Sequence, residues 1–237
     1  MDEERKKLRG EGFGKRFSKK WWGNIWYYYR FHFLVIVFLG AIIGYGIYDQ
    51  VTKVEPDISV DYFGYQSFTE EQLYGIYDFI QPIGKDINGD GKILMAFYPN
   101  IYSPSAKDEQ SIGMGQKLDL EIAAGEAVIF LFDKDCFDLV TQNQNYIFLD
   151  LSEWAKEFGI PEEKLVKVND QYLGIRMNGN KMLTESGINL PDDVDDNDNV
   201  YMVVRGRRYN EDKGEAMERY DYSLELARYI LSSFNQD

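Results

Sequence analysis

An uninterrupted apolar run at residues 33–48, Phe-Leu-Val-Ile-Val-Phe-Leu-Gly-Ala-Ile-Ile-Gly-Tyr-Gly-Ile-Tyr, constrains this chain more than any other feature. It carries no charge, and Tyr27, Tyr28, Tyr29 and Phe31 extend it at its start. At about 1.5 Å of rise per helical residue, residues 27–48 reach roughly 30 Å, the thickness of a bilayer's hydrocarbon core. The run therefore predicts one transmembrane helix. A cleaved signal peptide would need a short basic region and a small-residue cleavage site. Here the basic segment is long, and Gly44-Tyr45-Gly46-Ile47-Tyr48 makes a poor site. A buried helix of a soluble protein would not bring a basic, aromatic flank with it.

Charge sets the expected orientation. Residues 1–30 hold nine Lys/Arg against four acids, so a +5 segment sits in a chain of net −14, leaving −19 for residues 31–237. Basic residues beside a span favour the cytoplasmic side, which places the N-terminus inside and the acidic part outside. Trp21, Trp22, Trp26 and Tyr27 to Tyr29 would then form the aromatic belt at the inner interface. The expected organisation is a basic aromatic cytoplasmic segment (1–26), the transmembrane helix (27–48), a linker (49–56) and an extracytoplasmic domain (57–237). The protein is thus expected in the cell membrane, in a single pass. The run Lys15-Arg16-Phe17-Ser18-Lys19-Lys20 lies beside the span, so anionic membrane lipid is its economical partner. The acidic outer domain argues against nucleic acid.

Two residue counts remove reaction classes. Cys136 is the only cysteine, so no intrachain disulfide forms, and its neighbours Asp133, Asp135 and Asp138 oppose a thiolate. His32 is the only histidine and lies in the anchor, so the outer domain has no His-based triad and no His-ligated zinc site. With no nucleophile–base pair and no phosphate-binding loop, the reading is not an enzyme.

Past the linker, strands alternate with helices. Ile58, Val60 and Tyr62 alternate with Ser59 and Asp61 as a half-buried strand does. Thr69 with Gln72 three residues on is a capping box, followed by Leu73, Ile76, Tyr77 and Ile80 at helical spacing. Residues 93–98 form the next apolar run. Met114, Leu118 and Ile122 mark a helix stopping at Gly125, and residues 128–132 are a strand without a polar residue. Residues 146–151 lead to Ser152 as an N-cap, and 172–177 and 200–204 are further strands. Asn178-Gly179 is a turn, and Met217, Tyr220, Leu224, Ala227, Leu231 and Phe234 line a C-terminal amphipathic helix. The predicted fold class is α/β, with a mainly parallel sheet flanked by helices and preceded by a single transmembrane helix.

One stretch carries a family resemblance. A helix ending in Leu118-Asp119-Leu120-Glu121-Ile122-Ala123-Ala124-Gly125-Glu126-Ala127 is followed by Val128-Ile129-Phe130-Leu131. Phe148-Leu149-Asp150-Leu151-Ser152-Glu153-Trp154 comes next, and Tyr201-Met202-Val203-Val204-Arg205 with a closing helix comes later. Over residues 56–234 this order resembles bacterial extracellular solute-binding proteins of the type 2 periplasmic-binding fold. The resemblance implies a ligand-binding α/β domain, shortened relative to that two-lobed family and carried on a membrane helix.

The sharpest chemical motif is Asp86-Ile87-Asn88-Gly89-Asp90-Gly91-Lys92-Ile93. Oxygen side chains at positions 1, 3 and 5 with Gly at 6 resemble the first half of an EF-hand calcium loop, and Lys92 would add a backbone carbonyl at position 7. Position 12 falls on Phe97, where a bidentate glutamate is expected. Asp86, Asn88, Asp90 and Lys92 are accordingly the candidate Ca²⁺ ligands. A polar helix-to-strand connector remains the alternative. Asp192, Asp193, Asp195, Asp196 and Asp198 form a second acidic block, which reads as a solvated loop. Gly40 and Gly44 match the small-xxx-small spacing of paired membrane helices, although glycine is common in such helices anyway.

Two functional readings stand. In open α/β sheets, ligands bind beyond the carboxyl ends of the strands, which selects Tyr65, Gln66, Asn100, Tyr102 and Asp133. Those residues would suit a polar small molecule or a sugar, making the chain a membrane-anchored, extracytoplasmic ligand-binding or recognition module. The alternative is an accessory or structural subunit of a membrane protein complex, its outer domain serving as a protein interface. A pocket lined by those residues favours the first reading, and a flat, apolar exposed face the second.

Overall fold

The computed structural model describes residues 17–52, 55–144, 147–191 and 198–234. The chain divides into two compact units, residues 1–54 and 55–237.

The first unit is helix α1 (Lys19–Thr52). Ser18 starts it by accepting the Trp21 N–H on its hydroxyl at 3.2 Å, as an N-cap serine does. Within it, Ile25–Tyr48 is long and apolar enough to cross a membrane, and every side chain described from 26 to 48 is exposed. The helix continues through Thr52, so the first half of the expected linker, 49–52, is helical. Residues 53 and 54 and the basic residues up to 16 lie outside the described residues.

The second unit is a six-stranded sheet in the order β2-β1-β3-β6-β5-β4. It is built from β1 (Ile58–Gly64), α2 (Glu70–Ile80), β2 (Met95–Ile101), α3 (Glu109–Ala124), β3 (Ile129–Asp133), α4 (Lys134–Gln144) and α5 (Ser152–Glu157). Then follow β4 (Leu165–Val168), β5 (Gln171–Arg176), α6 (Lys181–Thr184), β6 (Val200–Val204) and α7 (Gly214–Ser232). The sheet is mixed, which corrects the expectation of a mainly parallel one. β1 pairs in parallel with β2 and β3, but β6 runs antiparallel to β3, β5 to β6, and β4 to β5. The reason lies in the connections. Helices α2 and α3 carry the chain back between β1, β2 and β3, as parallel neighbours require. β4 and β5 are joined only by Asn169 and Asp170, both at positive φ (48° and 66°), a two-residue turn that can join only antiparallel strands. Short, half-buried β4 escapes the periodicity.

Period-two alternation divides the core into two layers. Val60, Tyr62, Ile129, Leu131, Met202 and Val204 meet α2, α5, α6 and α7 on one face. Phe63, Phe130, Phe132, Tyr201 and Val203 meet α3 and α4 on the other. Strand β3 is buried at all five positions because it lies between helices on both faces, hence its unbroken apolar run. The Thr69 capping box forms as expected. At α5 the acceptor for the Ser152 N–H is Asp150, at 2.9 Å, so Ser152 is the first helical residue and not the cap. The segment leading to Ser152 contributes one isolated bridge, Phe148 to Arg205, and Tyr146 is outside the described residues.

A buried ion pair closes the far end of the sheet. Arg205, fully buried after β6, donates to both carboxylate oxygens of Glu211 at 2.7 and 2.8 Å and to the carbonyls of Ala127 and Gly206. Burial pushes the Glu211 carboxyl up, but the Arg205 contact outweighs it and holds the group below the usual range. Arg208 donates to the carbonyls of Glu121, Ile122 and Gly125 at the C-terminal end of α3.

Candidate functional site

The five residues chosen by the strand-end rule fall at or just beyond the ends of β1, β2 and β3. The structure ties four of them into bonds within the domain. Asp133, fully buried, accepts the Tyr65 N–H at 3.0 Å and the Cys136 N–H at 2.8 Å, so it fastens the β1 exit and caps α4. Burial raises its carboxyl above the usual range, and those backbone donors oppose the rise. Buried Asn100 donates to the carbonyls of Tyr62 and Tyr98 at 3.1 Å each and accepts from Lys117 at 2.6 Å. Gln66 gives its N–H to the Tyr62 hydroxyl and donates its side-chain amide to the Asp198 carbonyl at 2.8 Å. The Tyr65 hydroxyl donates to the Asp198 carboxylate. Asp198 is thus the described end of the acidic block and folds back over β1, while residues 192–197 lie outside the described residues.

Tyr102 stands apart. Its N–H continues the β1–β2 ladder to the Gly64 carbonyl at 2.8 Å, and its ring lines a cleft of about 310 Å³ between α3 and α4. Leu118, Asp119, Leu139, Val140 and Asn143 share that cleft with Gly115, where an added Cβ would come within 3.0 Å of the Tyr102 hydroxyl. Of the five predicted residues, only Tyr102 lines it. A second cleft, about 400 Å³, lies around Arg208 and Arg219. Its cations are committed inside the chain: Arg219 pairs with Glu126 and Glu215, and Arg208 with the α3 carbonyls.

The candidate calcium loop connects α2 to β2. Asp86 accepts the N–H groups of Gly89 and Gly91 at 2.7 and 2.9 Å, Asn88 that of Asp90 at 2.9 Å, and Asp90 that of Lys92 at 2.8 Å. Gly89 and Gly91 take φ of 71° and 78°, a left-handed backbone that glycine allows without strain. Sequence reasoning missed the loop's anchor. Asp57, fully buried, accepts from Ile87, Asn88 and Leu94 at 2.7, 3.2 and 2.8 Å, binding both ends of the loop to the start of β1. As a calcium donor set the loop is incomplete: three side-chain oxygens and the Lys92 carbonyl make four ligands where calcium takes six to eight. Phe97, at the glutamate position, is buried in the core. Among the described residues no cluster of three His, Cys, Asp or Glu is placed to hold a metal. The oxygens keep lone pairs beyond those used in the turns, so water would complete any coordination shell.

Hydrophobic side chains remain exposed along one edge. Ile93, Leu94, Tyr98 and Ile101 lie on β2 or lead into it, and β2 is one of the two outer strands of the sheet. That edge resists a further strand: Pro99 has no N–H to give, and the Tyr77 hydroxyl occupies the Phe97 carbonyl at 3.2 Å. It offers side-chain surface and not a backbone ladder. Comparison with known proteins gives no match to a family model, a curated protein or a solved structure.

Proposed function

We propose that the protein is a single-pass membrane-anchored recognition subunit, with residues 1–26 on the cytoplasmic side and the acidic α/β domain outside, where it binds a protein of a membrane complex. The observation that carries this reading is the contrast between two surfaces. Polar groups at the strand ends bond each other, whereas Ile93, Leu94, Tyr98 and Ile101 stay exposed on an edge closed to strand addition. The loop beside that edge carries Asp86 and Asp90, which favours a partner segment that is apolar with basic flanks. Cys136 is no nucleophile in this reading: burial pushes its thiol far up, with Asp133 adding to the rise. Calcium, in this reading, is a weak structural ion of the Asp86–Asp90 loop.

A photo-crosslinking amino acid at Tyr98 or Ile101 of the full chain, expressed in membranes, tests the interface. Tyr209, 96 % exposed, provides the control position. A discrete membrane-protein adduct from 98 and 101 but not from 209 supports the reading, and equal yields from all three overturn it. The Tyr102 cleft supports the solute-binding reading, in line with the family resemblance. A small molecule retained through native mass spectrometry and lost in Tyr102→Ala would replace the protein-interface proposal.

A further inference from the structure

Asp61 occupies the middle of β1 and is 3 % exposed. Alternation places it on the α3 side of the sheet with Ser59 and Phe63. Its Oδ1 has no hydrogen-bond partner among the described residues. The groups around it come from four elements. On β1 the Ser59 hydroxyl bonds the carboxyl, and on β3 the paired residue is apolar Phe130. On β2, Tyr98 feels the Asp61 charge and is itself coupled to Tyr77 of α2. Helix α3 brings Lys117 and Glu121, one of each sign. Lys117, the cation that could neutralise Asp61, instead gives its ammonium to Asn100 at 2.6 Å, while Glu121 adds a like charge. A central-strand carboxyl is therefore covered by a helix that supplies no direct partner to one of its oxygens.

We propose that Asp61 and α3 form a pH-responsive latch, in which α3 seats firmly on the sheet while Asp61 is protonated and loosens as Asp61 ionises. Burial, reinforced by Glu121 and opposed by Lys117 and Ser59, raises the Asp61 carboxyl from 3.8 to about 7. When α3 opens, the carboxyl meets water and returns toward its ordinary value. Opening therefore releases a proton between those two values. The opening equilibrium should rise about tenfold per pH unit from about pH 4 to pH 7 and level off above. The latch is tight in acid and slack at neutral pH. Arg208, bonded to the last carbonyls of α3, keeps the helix's C-terminal end attached in either state.

Hydrogen exchange followed by mass spectrometry tests this on the full chain in detergent micelles, with rates corrected for intrinsic pH dependence. Between pH 5 and pH 7 the α3 amides should lose about fiftyfold in protection, from the same tenfold rise per pH unit halved at the midpoint. Asp61→Asn should flatten that difference, and Lys117→Met, by removing the opposing charge, should move the levelling-off to higher pH. An α3 profile flat between pH 5 and pH 7 or unchanged in Asp61→Asn, or α3 amides as well protected as those of α7 at pH 7, would overturn the latch. If Asp61→Asn fails to fold, carboxyl ¹³C titration of Asp61 in the unaltered protein decides: a midpoint near 7 supports the proposal, and one near 4 overturns it.

Discussion

Arg205 with Glu211 and Asp61 with α3 are both charged groups buried in one domain, yet their surroundings push their carboxyls in opposite directions. Glu211 loses water but gains a two-point guanidinium contact and the Arg208 N–H at 2.7 Å, and its carboxyl goes down. Asp61 loses water with one oxygen unpartnered and a like charge on the covering helix, and its carboxyl goes up. Burial alone decides neither outcome; the partner does. The first site is a clasp, and the second a spring.

The largest expected effect is at the clasp. Arg205→Ala leaves Glu211 buried without its partner and should destabilise the domain by about 3–5 kcal/mol, read as the urea midpoint of the full chain in detergent. Adding Glu211→Leu should recover part of that loss. What remains includes the Arg208 N–H, which then has no acceptor, and the Ala127 and Gly206 carbonyls, which have lost their donor. A loss under about 1 kcal/mol from Arg205→Ala would mean the pair is no better than a surface contact.

At Asp61 the sign reverses. Its folded-state value lies above the unfolded one, so its contribution is fully present below about pH 4 and lost as the pH rises through about 7. Asp61→Asn should therefore be about 4 kcal/mol more stable than the parent at pH 8 and nearly indistinguishable at pH 4, because each of the roughly three pH units between about 4 and about 7 is worth about 1.4 kcal/mol. Stability differences equal at pH 8 and pH 4 would remove the contrast with Glu211.

Smaller effects probe the loop and the first helix cap. Calcium at 10 mM should raise the melting temperature over chelator by a few degrees, since a millimolar site adds about 1.4 kcal/mol at that concentration. Asp90→Ala should abolish the increment, and equal melting temperatures would leave a polar connector held by Asp57. Thr69→Ala, which breaks the capping box of α2, should cost about 1 kcal/mol in the same urea assay.

Much of the fold could be read from the sequence where pattern and physics are local. The α1 run, the Thr69–Gln72 cap, the alternation in β1 and the apolar run of β3 each depend on neighbours within a few residues. Strand direction is not local. β6 lies beside β3, more than sixty residues away, and nothing in Val200 to Val204 states which way it runs. β4 escaped notice because three of its four residues are only half-buried and Lys167 is exposed, and its one local signal, Asn169-Asp170, is a weaker turn mark than Asn-Gly. For the site, the strand-end rule named residues but not their partners: Tyr65 bonds Asp133, while Gln66 and Asn100 bond groups outside the set. Asn100 meets Lys117 and Asp133 meets Cys136 only once α3 and α4 are placed. Asp57, Asp61 and Arg205 left no motif at all, since a buried charge resembles a surface one until its neighbours are known.

Protease treatment of spheroplasts carrying the full chain tests the central claim most directly, because the proposed extracytoplasmic partner requires the acidic domain to face outward. Added protease should remove residues 55–237 while the N-terminal thirty residues stay protected until the membrane is opened. Protection of the acidic domain in sealed spheroplasts, with its digestion only after detergent, would contradict the account.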